Sequence, residues 1–232
     1  MSKILGIIPA RGGSKGIPDK NLKELAGKPL LAYTSEAAHA SGIIDRLVLS
    51  TDSEAIAQLG RSLNVEVPFM RPAELAQDDT AMLPVLQHAV KKMEEEGWLA
   101  DIIVLLQPTS PLRKARHISS AVEKLQTEDC DSVVSVLEIP ELFAPQKALR
   151  EKNGYLEFWL PDGKGISRRQ QLKPAYSREG TVYAFWRDVL MEQNSIYGEK
   201  CLPLLLSSEE SMSLDNPEDW QLAEEKLRYV RN

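Results

Sequence analysis

Cysteine is almost missing from this chain. Cys130 and Cys201 are the only two in 232 residues. That excludes a disulfide framework, and neither stands in a CxxC or Cys/His pattern that would bind zinc. Such sparing use fits a reducing cytoplasm. Histidine is as scarce: His39, His88 and His117 lie on separate helical stretches, so no Ser/His/Asp or Cys/His set is readable and none receives a catalytic role. Positive charge is in deficit. The formal net charge of −6 argues against broad nucleic-acid binding. No apolar run approaches the roughly 20 residues of a membrane span. The first such run stops at Pro9 and Arg11, unlike a signal peptide. Two phosphate motifs are also missing: the glycines of the first loop do not fit GxGxxG, and no GxxxxGK followed by Ser or Thr occurs. Asp129 and Asp131 match a DxD metal motif in spacing alone. They flank a cysteine, precede a strand at its wrong end, and read as a surface turn.

What is present is a rhythm. Apolar, β-branched runs recur at 4–8, 46–50, 65–70, 101–106 and 131–137. Helical spacing fills the gaps between them at 30–40, 53–63, 80–96 and 115–126. On the first helix Tyr33, Ala37 and Ala40 are expected inward. Ser53 is a good N-cap for the second, ahead of the Ile56, Leu59 and Leu63 stripe. Leu83, Leu86, Val90 and Met93 mark one face of the third, and Ile118, Val122 and Leu125 one face of the fourth. Alternation of strand and helix implies βαβ units and a mainly parallel sheet in an α/β fold, with strands apolar on both faces. The rhythm breaks near Pro140. Residues 140–178 carry scattered prolines, glycines and charges and read as an insertion in a domain made of 1–139 and 179–232. Strands return at 181–186 and 201–206, and a last amphipathic helix at 217–230 starts with Pro217 in its first turn.

The first loop is the informative one. Ile7-Ile8-Pro9-Ala10-Arg11-Gly12-Gly13-Ser14-Lys15-Gly16-Ile17-Pro18-Asp19-Lys20-Asn21-Leu22 follows the first strand. Ligands of parallel sheets sit beyond the carboxyl ends of the strands. Glycines let backbone N–H groups approach an anion closely, and Arg11, Lys15 and Lys20 add charge. An acidic protein that gathers three cations in one loop suits a small anionic ligand, a phosphate or a carboxylate. Arg168, Arg169, Gln170, Gln171 and Arg178 make a second basic cluster, at the end of the insertion, of a kind that clamps carboxylates or phosphates. Asp52 reads as a turn residue, and Thr80 as the cap of the third helix.

Taken in order, Ile8 to Pro18 with Lys20-Asn21, Ser50-Thr51-Asp52, Arg71-Pro72-Ala73-Glu74-Leu75, Leu106-Gln107-Pro108-Thr109-Ser110-Pro111-Leu112-Arg113, Arg169-Gln170-Gln171, and Gly180 with Tyr183 resemble the acylneuraminate cytidylyltransferases, the CMP-sialic acid synthetase family. The resemblance covers nearly the whole chain. It implies a Rossmann-like nucleotidyltransferase fold whose insertion is a dimerisation arm reaching the site of a second copy. It implies a reaction of CTP with an acidic nine-carbon 2-keto sugar, giving CMP-sugar and pyrophosphate. Arg11, Lys15 and the Ala10, Gly12, Gly13 and Ser14 backbone would hold the triphosphate, with Lys20 neutralising the charge that develops. Asn21, Arg71 and Thr80 would lie at the nucleotide. Gln107, Glu179 and Tyr183 would face the sugar, joined by Lys147 and Arg169 from the arm. Asp215 would hold Mg²⁺. The chain departs from the family at two places. Ser213 stands where the first of two aspartates is usual, and Glu179 stands where asparagine is usual. Both leave the sugar open among sialic, legionaminic, pseudaminic and Kdn-like acids. They also leave open a nucleotidyltransferase of this fold that uses another NTP, such as GTP, with a sugar 1-phosphate. A non-catalytic nucleotide-binding module is the remaining reading, opposed by Arg11, Lys15, Lys20 and Asp215 standing together.

Overall fold

The computed structural model describes residues 2–14, 16–166 and 168–231; the side chains of Arg169 and of residues 229–231 lie outside that description. The chain runs β1 (Ile4–Pro9), a two-residue ladder of β2 (Glu24–Leu25) and β3 (Lys28–Pro29), α1 (Leu30–Ser41), β4 (Arg46–Ser50), α2 (Glu54–Ser62), α3 (Met82–Glu95), β5 (Ile102–Leu105), α4 (Ala115–Thr127) and β6 (Ser132–Glu138). After the insertion, which holds a hairpin of β7 (Leu149–Lys152) and β8 (Tyr155–Phe158), come β9 (Tyr176–Trp186), α5 (Arg187–Met191), β10 (Cys201–Leu205) and α6 (Pro217–Arg231). Six strands form one sheet in the order β10-β6-β9-β5-β1-β4. All pairs are parallel except those made by β9, which is antiparallel to both β5 and β6.

The strands are apolar on both faces because both faces are covered. Ile4 and Ile8 of β1 join Ile102 and Val104 of β5 in one core, under Leu31 of α1, Ile56 of α2 and Ile118 of α4. Leu5 and Ile7, with Ile103 and Leu105, join the opposite core under Leu86, Val90 and Met93 of α3. A third, smaller core packs Ile17 of the first loop and Leu214 against Trp220 and Leu227 of α6. It pins that loop to the start of the last helix, 200 residues away in sequence.

Three expectations are corrected. Residues 65–70 are not a strand. Glu66 makes a single bridge to Val48, and Pro68, with no N–H to give, ends the pairing. Ala40 is exposed, because it lies in the last turn before Gly42 caps α1 in the left-handed region (φ 67°). Helix α3 starts at Met82 behind Ala81 without a side-chain cap, so Thr80 is not its N-cap. The Ile139 N–H donates to the Ala175 carbonyl at 2.8 Å, and β9 rejoins the sheet at Tyr176 opposite Glu138. The hairpin turns at Asn153-Gly154, both at positive φ, the pair that favours a tight two-residue turn. Among the described residues no helix is long and apolar enough to cross a membrane.

Candidate active site

The carboxyl ends of β1, β4, β5 and β6 lie along one edge of the sheet, and antiparallel β9 begins at that same edge. Two cavities open there. The loop cavity, about 230 Å³, is lined by Arg11, Ser14, Lys20, Asn21, Arg71, Thr80 and Thr109 among others. The bulge cavity, about 650 Å³, is lined by Gln107, Arg178, Glu179, Gly180, Tyr183, Tyr197, Ser213 and Asp215 among others. Met82 belongs to both walls.

In the loop cavity the cations lean on protein oxygens. Arg11 Nη2 pairs with Asp78 at 2.7 Å, and its Nη1 donates to the Ala76 carbonyl at 3.3 Å. The Gly12 N–H donates to Asp52 Oδ1 at 2.9 Å. Asp52 therefore does more than turn the chain: it holds the loop. The Ala10 N–H is committed to the Ser50 carbonyl at 3.0 Å and Ala10 packs into the core, so its contribution is to place the loop. Gly13 takes φ 64° with open space around it, a conformation that favours glycine. Arg11 is therefore held in the cavity wall by Asp78 and the Ala76 carbonyl. Lys15 lies outside the described residues.

Asn21 is buried and its Nδ2 donates to the Arg11 carbonyl at 3.2 Å, tying the loop to the approach of α1. Arg71 is buried too. Its Nε donates to Ser50 Oγ at 3.0 Å and its Nη2 to the Ser50 carbonyl at 2.5 Å, and burial pulls its pKa down to about 10. Thr80 Oγ1 donates to the Glu74 carbonyl at 3.3 Å. These side chains line the cavity while bracing its walls.

Lys20 lines the loop cavity and reaches toward the residues that close the other. Its Nζ donates to the Leu214 carbonyl at 2.7 Å, next to Asp215. Burial lowers its pKa, Asp215 opposes the shift, and Arg11 adds to it. The contact between the first loop and Asp215 is tight: a Cβ on Gly16 would come within 2.2 Å of the Asp215 carbonyl oxygen. Asp219 Oδ2 accepts the N–H groups of Asp215 and Asn216 at 2.9 and 3.0 Å. That fixes the backbone and leaves the exposed Asp215 carboxylate facing the cavity, with no hydrogen bond of its own among the described residues. No group of three His, Cys, Asp or Glu converges anywhere in the described residues. The chain's own described residues therefore offer no multidentate metal cage, and Asp215 is the one carboxylate left open beside Lys20.

The bulge cavity owes its floor to an irregularity. Between the pairs Val134–Tyr183 and Val136–Arg178, β9 carries more residues than β6, so Glu179 to Val182 bow out of the ladder. Buried backbone groups that leave the ladder need other partners, and side chains supply them. Ser135 Oγ accepts the Val182 N–H at 2.9 Å and lies 2.8 Å from the Glu179 carbonyl. Arg113, buried, donates from Nε to the Thr181 carbonyl, from Nη2 to the Gln107 and Gly180 carbonyls, and from Nη1 to Thr34 Oγ1 at 2.7 Å. Burial pulls the Arg113 pKa down, with Glu179 opposing it. Arg113 was unassigned by sequence reasoning, yet it joins Gln107 to the bulge.

Glu179 is 7% exposed, and its Oε2 accepts the Thr181 N–H at 2.7 Å. It lies in the cavity wall, but Oε2 secures its own bulge and Oε1 is buried. A side chain on Gly180 would meet Gln107 Oε1 at 2.6 Å, so the missing Cβ lets Gln107 lie over the bulge. Tyr183 stands beside Tyr197 with ring centroids 6.2 Å apart, and burial pushes its phenol up to about 12. Lys147 is elsewhere. With Arg168 it lines a cavity of about 740 Å³ at the root of the arm. Arg169 begins a short 3-10 turn, and its side chain lies outside the described residues. Within one chain, neither arm residue is shown at the bulge cavity.

Residues 5–223 match the family model described as cytidylyltransferase. The chain is 36% identical over 226 residues to the CMP-N,N'-diacetyllegionaminic acid synthase of Legionella pneumophila subsp. pneumophila, covering 97% of this chain and 96% of that protein. It is 35% identical over 223 residues to the N-acylneuraminate cytidylyltransferase of Streptococcus agalactiae serotype III, covering 94% of this chain and 52% of that longer protein. Among solved structures, CMP:2-keto-3-deoxy-manno-octonic acid synthetase complexed with CTP superposes with a TM-score of 0.73 at 18% identity, over 99% of this chain and 100% of that one. This last likeness is one of fold.

Proposed function

From a chain that belongs to the cytidylyltransferase family, we propose an enzyme that joins CTP to an acidic nine-carbon 2-keto sugar, giving a CMP-sugar and pyrophosphate. One observation carries the reading: a cation-lined cavity at the first loop and a larger cavity at the β9 bulge share Met82 in their walls, and Lys20 of the first is bonded to the Leu214 carbonyl, next to Asp215 of the second. The loop cavity takes the nucleotide and the bulge cavity takes the sugar. The sugar's anomeric hydroxyl oxygen forms the bond to the α-phosphorus, its proton passes to solvent, and the bond to the β-phosphate oxygen breaks. Chemistry of this kind is mainly positioning and charge neutralisation. Arg11, Lys15 and the Gly13 and Ser14 amides bind the triphosphate, and Lys20 meets the charge that grows on the departing pyrophosphate. Relatives named for legionaminic and N-acylneuraminic acid support the acid class. The enzyme works in the cytoplasm, where CTP is available and Cys130 and Cys201 stay as thiols.

Mg²⁺ is the implied cofactor, and Asp215 is the residue that would hold it, with triphosphate oxygens and water completing the shell. When bound it offsets phosphate charge. Asp215→Ala is expected to raise the Mg²⁺ concentration for half-maximal rate by about tenfold or more, in line with one lost charged ligand. An unaltered metal titration would remove Asp215 from the ligand set.

The arm supports a homodimer. Leu142, Phe143, Tyr155, Leu156 and Trp159 are all more than half exposed, an apolar patch of the kind that marks an interface. In such a dimer Lys147 and Arg169 reach the partner's sugar cavity. Sedimentation showing a monomer at assay concentration would remove that contribution.

The test of the function itself is pyrophosphate release by purified protein with Mg²⁺, crossing four NTPs with nine-carbon keto acids and sugar 1-phosphates. Turnover with CTP and a keto acid is expected. Turnover confined to another NTP and a sugar phosphate would overturn the proposed substrate class.

A further inference from the structure

The bulge cavity has an unequal charge inventory. Its charged lining residues are Arg178, Glu179 and Asp215, so Arg178 is the one basic side chain in that wall among the described residues. An acidic sugar entering here meets two carboxylates and needs a cation. Arg178 is built to supply it. Arginines elsewhere on the surface are spent on carboxylates, as in Arg46 with Glu66 and Arg187 with Glu94; among the described residues Arg178 pairs with none.

Its one described side-chain hydrogen bond runs from Nη1 to the Tyr197 phenol oxygen at 2.5 Å, with the guanidinium carbon 5.8 Å from that ring. Tyr197 is itself held. Its N–H donates to Ser195 Oγ at 3.0 Å, its carbonyl accepts the Ser132 hydroxyl at 2.6 Å, and its ring stands edge-on to Tyr183. The guanidinium is therefore oriented without being neutralised. Its exposed position leaves the rest of the fork open, and a planar fork matches a carboxylate bidentately. In sequence Arg178 falls with the arginines of the insertion. The structure instead seats it on β9, paired with Val136, one residue from the bulge.

We propose that Arg178, in the same chain as the catalytic loop, receives the carboxylate of the acidic sugar. This rests on the function proposed above, and it places the acid's receptor beside the reacting centre rather than solely on a partner's arm.

The test compares the preferred keto acid with its uncharged C1 amide in wild type, Arg178→Gln and Arg178→Lys, with CTP binding measured separately by calorimetry. Wild type is expected to favour the acid in kcat/KM. Arg178→Gln is expected to shrink that acid-to-amide ratio by about ten- to hundredfold, as loss of a charged hydrogen-bonded pair does, through KM for the acid and with CTP affinity unchanged. Arg178→Lys, which keeps the charge and loses the fork, falls between. An unchanged ratio in both variants, with CTP binding intact, would overturn the proposal and return the carboxylate to the arm. Should Arg178→Gln fail to bind CTP, the Lys variant decides. Absence of wild-type turnover with any keto acid would overturn the function reading, and this proposal with it.

Discussion

Lys20→Ala is expected to lower kcat by about 10²- to 10³-fold while KM for CTP changes by less than about tenfold. The asymmetry follows from where the charge sits. Lys20 Nζ rests on the Leu214 carbonyl, next to Asp215 of the bulge cavity, whereas Arg11 is paired with Asp78 on the other side of the same first loop. Ground-state phosphate charge is shared between them. Charge that appears only as the α,β-bridge breaks falls to the donor nearest the new leaving group. A lysine can turn from a neutral carbonyl toward that charge at little cost, which is harder for Arg11, already paired with Asp78. The prediction has a pH signature. Burial lowers the Lys20 pKa and Arg11 lowers it further, against the pull of Asp215, so the side chain loses its proton earlier than a free lysine as pH rises. The alkaline limb of kcat should reflect this loss and should vanish in the alanine variant. Steady-state pyrophosphate release decides it: an unchanged kcat would remove Lys20 from the transition state.

How far the chain could be read without its structure depended on the range of the interactions involved. The first loop stands out because a strand followed at once by glycines and cations is a local signal, and Arg11, Ser14 and Lys20 line a cavity at the carboxyl edge of the sheet. The parallel sheet was legible because β1 and β5 bury both faces and so read as unbroken apolar runs. The hairpin of the insertion was announced by Asn153-Gly154 and hidden by the charges around it. The bulge was not legible. Ser135 is unremarkable in sequence, Glu179 reads as a residue facing the sugar and Arg113 only as the end of a family segment, and their bracing of the bulge exists only once β6, β9 and the loop after β5 converge. Asp52 reads as a turn residue for the same reason: its bond to the Gly12 N–H closes a gap of 40 residues. Positions that bind through local backbone shape show in a sequence, and positions that brace other positions do not.

That distinction gives the second large effect. Arg113→Met is expected to cost about 3–5 kcal/mol of stability, the usual result of removing one member of a buried charged set. Methionine fills a similar volume, so cavity formation contributes little. What remains is electrostatic. The carbonyls of Thr181, Gln107 and Gly180 lose their donor, and buried Glu179 loses the cation beside it. Urea unfolding should show a lower midpoint at an unchanged slope. The source of the penalty can be separated from simple loss of hydrogen bonds. If the stranded Glu179 carboxylate is a large part of it, then Glu179→Gln combined with Arg113→Met should be less harmful than the two single costs added together, with a coupling of about 1–3 kcal/mol. Additive costs would mean that the bulge depends on Arg113 only as a donor. A sub-additive pair would mean that Glu179 serves the enzyme chiefly as the counter-charge of Arg113, holding Gly180 and Gln107 in place. The choice of sugar would then be left to the groups that face the open cavity: Gln107, Tyr183 and Arg178.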